Sequence, residues 1–132
     1  MLKQVSIYSH CYFNYSTRVG TYIVKLEYNK FEKFIEKTIQ NDVETPNRII
    51  LLGLLSGVEL IKEPCALTLI TCTPVGFAKM RSSPNAKLLN TLRELIISKK
   101  CIYKTKVIPK ESIGIILKMY EKSWLTYEKV KG

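Results

Sequence analysis

His10, Cys11 and Cys72 are the residues in this chain whose types suit metal, redox or nucleophilic chemistry. The histidine adjoins Cys11, and Cys72 closes an apolar run that reads as a strand, so adjacent strand ends would bring the three together. Imidazole and thiolate are both zinc ligands, which makes a soft metal or redox centre one reading. No fourth ligand stands near them in the pattern, and Cys11, Cys65, Cys72 and Cys101 lack the close paired spacing of a zinc finger or a disulfide framework. The expectation is that the cysteines are reduced and these side chains pack, with no metal and no cofactor. No glycine-rich phosphate loop, serine-nucleophile elbow or suggestively paired carboxylates occur elsewhere.

A second group of residues suits polyanion binding. Lys99, Lys100, Tyr103, Lys104, Thr105 and Lys106 form a basic segment with one aromatic, a pattern that fits phosphate contact with base stacking. The competing reading is a solvated lysine loop with Tyr103 packed on its base. The net charge of +10 is unevenly spread: residues 1–66 carry 8 Lys and Arg against 7 Asp and Glu, whereas residues 67–132 carry 13 against 4. Such a block favours nucleic acid through counterion release, although lysine-rich faces also serve solubility alone. Thr45, Asn47 and Arg48 stand at a helix start, which is a natural anion site.

The elements that must position these residues follow from periodicity. Lys3 to Ser9 alternates polar and apolar, Thr17 to Tyr28 is dense in β-branched and aromatic residues, and Phe31 to Ile39 alternates again, so a three-stranded antiparallel meander is expected. Thr45 as N-cap and Pro46 at the first helical position open a helix running to about Lys62, apolar almost all round in its first half. Pro64 ends it, and Ala66 to Thr71 follows as a buried strand. The right-handed crossover rule makes that strand parallel to a member of the meander. A short helical stretch after Thr73-Pro74, a turn at Ser82 to Asn85 and a helix over Ala86 to Ser98 come next. The basic segment reads as irregular, Pro109-Lys110-Glu111 opens a helix to about Glu121, and Trp124 to Val130 reads as a last strand.

At 132 residues the chain fits one domain with one core. No signal-peptide pattern or run of about 18 apolar residues is visible, so a soluble, cytoplasmic protein without membrane association is expected.

Three segments resemble bacterial ribonuclease HI. Met1 to Ser9 is similar to its first strand, Thr45 to Leu51 to the start of its first helix, and Ile61 to Cys72 to its helix end and fourth strand. The resemblance implies an α/β, RNase H-like fold: a five-stranded mixed sheet, three antiparallel strands then two more, flanked by helices. It spans nearly all of residues 1–132 as a single domain, with an insertion of about one helix before the basic segment.

At the positions where that family holds metal-binding or catalytic carboxylates, this chain has His10, Ile50 and Cys72. Two-metal phosphodiester hydrolysis needs clustered hard oxygen ligands, which these residues do not supply. The family's fourth carboxylate sits on a helix after the fifth strand. Placing that strand at Trp124 to Val130 leaves no such helix before Gly132. The resemblance also implies that Lys99, Lys100, Tyr103, Lys104 and Thr105 match the family's basic protrusion, with Tyr103 in place of Trp. Pro46 replaces an Asn that reads the RNA–DNA hybrid, and bulky Cys11 to Arg18 replace a glycine-rich loop.

The expectation is thus an inactive ribonuclease HI-like protein that binds a hybrid or duplex without cutting it. The alternative is a protein-interaction module that mimics the enzyme to engage or compete for its protein partners, with the basic face meeting an acidic protein.

Overall fold

The computed structural model describes residues 2–40, 45–75 and 85–119. Five strands, β1 (Lys3–Asn14), β2 (Val19–Tyr28), β3 (Phe31–Ile39), β4 (Cys65–Thr71) and β5 (Ile102–Val107), form one sheet in the spatial order β3-β2-β1-β4-β5. Three helices, α1 (Pro46–Glu59), α2 (Ala86–Ser98) and α3 (Lys110–Ile116), complete the described elements. None of the described helices is long and apolar enough to cross a membrane.

The meander forms as expected, with β1 longer than the alternation of Lys3 to Ser9 suggests. The bulky run Cys11 to Asn14 continues the strand and pairs with Val19 to Tyr22. Asn14 then makes the reversal: its Oδ1 accepts from the backbone N–H groups of Ser16 and Thr17 at 2.9 and 3.1 Å, and Arg18 takes φ 60°. The β2–β3 hairpin is tighter, with Tyr28 paired to Phe31 and Asn29 at φ 53°, the left-handed value a two-residue hairpin turn requires at its first position.

The crossover helix starts where the sequence places it. Thr45 Oγ1 accepts from the Arg48 N–H at 3.3 Å, and Pro46 occupies the first turn. Ile49, Ile50, Leu51, Leu54 and Val58 of α1 are buried. Gly53 and Gly57 let the helix lie against the sheet: a Cβ on Gly53 would stand 2.4 Å from Ser9 Oγ, and one on Gly57 would stand 2.9 Å from Ile7 Cγ2. The chain then enters β4, parallel to β1, with Val5 beside Leu67 and Ile7 beside Leu69.

Side chains alternate across the sheet and so build two cores. Val5, Ile7, Cys11, Tyr22, Val24, Cys65, Leu67 and Leu69 meet α1 and α2 in the main core. On the opposite face Ile23 packs with Ile113, Leu117 and Met119 of the α3 region, against Tyr8, Tyr12, Cys72 and Ile108. Farther from α3 that face turns polar. The Lys25 ammonium is held there between Glu27 and Glu32 at 3.0 and 3.2 Å, which explains a lysine only 8% exposed.

The fifth strand corrects the sequence reading. It is Ile102–Val107, inside the segment read as irregular, and it pairs parallel to β4 with Leu67 beside Tyr103 and Thr68 beside Lys104. The alternation signal is missing because β5 is an edge strand whose residues are almost all exposed. Lysine on such an edge discourages pairing with other chains, so Lys104 and Lys106 suit a strand there. The helix expected from Pro109 is α3, and it follows this fifth strand, so the reasoning that the chain ends before such a helix no longer holds. The expected strand at Trp124 to Val130 and the short helix after Pro74 lie outside the described residues, as does the end of the helix near Glu121.

Candidate functional site

Because β1 and β4 are parallel neighbours, their C-terminal ends lie side by side. That places Cys72, just past β4, against His10 of β1, with Cys72 Sγ 3.4 Å from His10 Nδ1. Cys11 takes no part. As the next residue along the strand it faces the other side of the sheet, where its Sγ donates to the Pro46 carbonyl at 3.6 Å. Ile50 is also on that other side, 2% exposed in the main core, with its carbonyl accepting from Ser9 Oγ at 2.8 Å. The structure therefore joins His10 with Cys72 and separates both from Cys11 and Ile50.

The pair is electrically neutral around pH 7. Burial, reinforced by Lys110, holds the His10 imidazole below its ordinary range. Burial raises the Cys72 thiol, against the opposing pull of the Lys110 charge. Cys11, buried more deeply and repelled by Cys72, is pushed up to about 12. A thiolate is the nucleophilic and metal-binding form of cysteine, so a protonated thiol beside a neutral imidazole is a poor start for either role.

Lys110 is the residue the sequence reading missed. The Ile108 N–H donates to the Thr71 carbonyl at 2.9 Å, which fixes the end of β5 beside the end of β4, and Lys110 opens α3 two residues later. Its charge reaches His10, Cys11 and Cys72 alike. The signal was available in Pro109-Lys110-Glu111 as a helix start. It gains meaning only once the preceding segment is recognised as the fifth strand.

Hard divalent ions need several oxygen ligands. Here an imidazole, a thiol and an ammonium gather, and among the described residues no three His, Cys, Asp or Glu side chains cluster as a metal would require. These residues do not fit the two-metal centre that the ribonuclease HI resemblance implies.

The expected nucleic-acid residues fall into separate places. Thr45, Asn47 and Arg48 open α1 at the His10–Cys72 end of the sheet, where Thr73 Oγ1 donates to Asn47 Oδ1 at 3.2 Å. Lys99 lies at the far end of α1 and donates to the Glu59 and Ile61 carbonyls at 3.3 and 2.6 Å, so it caps that helix. Lys100 adopts φ 58° in the turn after α2, where its N–H and that of Cys101 bond back to the Ile97 and Ile96 carbonyls. Tyr103 packs against the main core, and by strand alternation Thr105 shares that side. Lys104 and Lys106 are exposed on the opposite face, beside Thr68 and Ile70. The basic segment is thus a turn and an edge strand, without a free protrusion.

No family model and no curated protein matches this sequence. Among solved structures, the chain is similar to the N-terminal RNase H domain of a Mycobacterium tuberculosis protein, determined as a fusion with maltose-binding protein. The TM-score is 0.68 at 13% identity, over 83% of this chain and 84% of that one. The fold is RNase H-like. Within this RNase H-like sheet, His10 and Cys72 meet at the strand ends, and the helix after the fifth strand begins with Lys110.

Proposed function

We propose that this chain is an RNase H-like protein that no longer performs metal-dependent cleavage and binds nucleic acid, as a hybrid or duplex. The observation that carries the reading is the composition of the strand-end site. A neutral His10–Cys72 pair stands beside cationic Lys110, where two-metal hydrolysis would need carboxylates. Binding is assigned to exposed Lys100, Lys104 and Lys106 and to the Thr45, Asn47 and Arg48 helix start. Lys99 and Tyr103 support the fold.

The test titrates the protein against RNA–DNA hybrid, duplex RNA, duplex DNA and single strands at two salt concentrations, with and without magnesium or manganese, reading binding and cleavage together. Salt-sensitive binding without cleavage is expected. Metal-dependent cleavage, or no binding at low salt, would overturn the reading.

A second reading, a module that binds protein partners of ribonuclease HI or an acidic protein, draws support from β5. This edge strand exposes Ile102 and Val107 at 62% and 52% next to its two lysines. Under that reading the Lys104→Glu, Lys106→Glu double variant loses a protein partner, and the wild-type protein shows no nucleic-acid affinity to lose.

A further inference from the structure

The strand-end site has a charge balance that suits an anion. Lys110 is exposed and joins no ion pair among the described residues, even though Glu111 is its neighbour on α3. Across from it, the loop after Cys72 is tied to α1 by the Thr73–Asn47 hydrogen bond. That bond uses the Asn47 Oδ1 acceptor and leaves the exposed amide NH2 as a donor. His10 and Cys72 floor the space between these groups without charge, so nothing there repels an anion. A cation, in contrast, would meet the ammonium and find no carboxylate.

We propose that the end of the sheet formed by His10, Cys72, Thr73, Asn47 and Lys110 binds a phosphodiester phosphate directly, with no bridging metal ion. The Lys110 ammonium takes a non-bridging oxygen through a charge-assisted hydrogen bond, and the Asn47 amide donates to the same phosphate. This deepens the nucleic-acid reading above and rests on it. It assigns a role to a lysine outside the basic segment and predicts that divalent metal is dispensable for binding, because the ammonium already supplies the positive charge.

The experiment is fluorescence anisotropy with a labelled RNA–DNA hybrid. The full chain and its Lys110→Glu, Lys110→Gln and Lys110→Arg variants are compared in EDTA and in magnesium, over a range of salt. Wild-type affinity should be equal within about twofold in the two buffers. Lys110→Glu should weaken binding about tenfold or more at low salt. Lys110→Gln should reduce the slope of log affinity against log salt by about 0.9, the value for one phosphate contact, while Lys110→Arg keeps it. Lys110 is exposed at a helix start, and matching melting curves would verify that the variants fold. If the wild-type protein binds but Lys110→Glu and Lys110→Gln bind equally well, or if binding requires magnesium, the phosphate site is refuted and the broader reading stands. Failure of the wild-type protein to bind at low salt would overturn both.

Discussion

Cys72 Sγ and His10 Nδ1 lie 3.4 Å apart across the ends of two parallel strands, and burial keeps both groups uncharged near neutrality. A cysteine–histidine pair of this kind is a nucleophile only when the thiolate is accessible, and here both shifts oppose it.

The four thiols should therefore react unequally. Cys11, Cys65 and Cys101 are buried, and Cys72 is partly exposed. With an aromatic disulfide reagent, one thiol per native chain should react, and the other three should react only after denaturation. Because the Cys72 thiol is raised, the rate should climb about tenfold per pH unit from pH 7 to 9, tracking the thiolate fraction. Rapid native reaction of two thiols would contradict the burial described for the other three.

His10 should make the protein acid-sensitive. Its folded pKa lies below the ordinary 6.5, so between the two values the unfolded chain binds a proton that the native chain does not. Stability should be full above about pH 6.5 and fall as pH drops through that window. Urea midpoints at pH 7.5 and 5.5 should show a larger decline for wild type than for His10→Gln.

Ile50→Glu should not rebuild a metal centre. It would place an unpaired carboxylate in a core position that is 2% exposed, at a cost of about 3–5 kcal/mol at pH 7. Protonation should relieve part of that cost, so the gap from wild type in urea unfolding should narrow at pH 5. An unchanged gap would mean that the side chain escapes to solvent.

Gly53→Ala should cost about 1–3 kcal/mol, because the added methyl would stand 2.4 Å from Ser9 Oγ and 3.0 Å from Val24 Cγ2. The same substitution at Gly114, where a Cβ meets nothing within 4 Å, should be neutral or mildly stabilising. Thermal melts of the two variants provide the comparison.

Lys99 separates structure from binding. Removing its ammonium from the Glu59 and Ile61 carbonyls should lower stability by about 1 kcal/mol. Hybrid affinity should change less than twofold for Lys99→Met and more for Lys104→Gln. The reverse order would return Lys99 to the binding surface.

How much of this was readable in the residues depended on burial. Thr45-Pro46 announced α1 because capping is local chemistry, and Ala66 to Thr71 announced β4 because both of its faces are covered. Strand β5 was illegible for the opposite reason: Lys104 and Lys106 on its open face and Tyr103 on its covered one leave no apolar alternation. That misreading displaced the fifth strand toward Trp124 and hid Lys110. Gly53 and Gly57 gave no warning either, since their role depends on a sheet that comes close only in three dimensions. The sequence did single out His10 and Cys72. That they would meet while Cys11 and Ile50 turned away needed the strand register and the helix seat.

The course of α1 also sets a ruler. Its 14 residues separate the Asn47 end of the molecule from the Lys100 end by about 21 Å, at 1.5 Å per residue. Phosphates along one strand of a B-form duplex recur about every 3.4 Å, so a strand touching both ends must offer about six consecutive steps. Oligonucleotides shorter than this can engage one end only, and affinity should rise sharply once length passes that threshold.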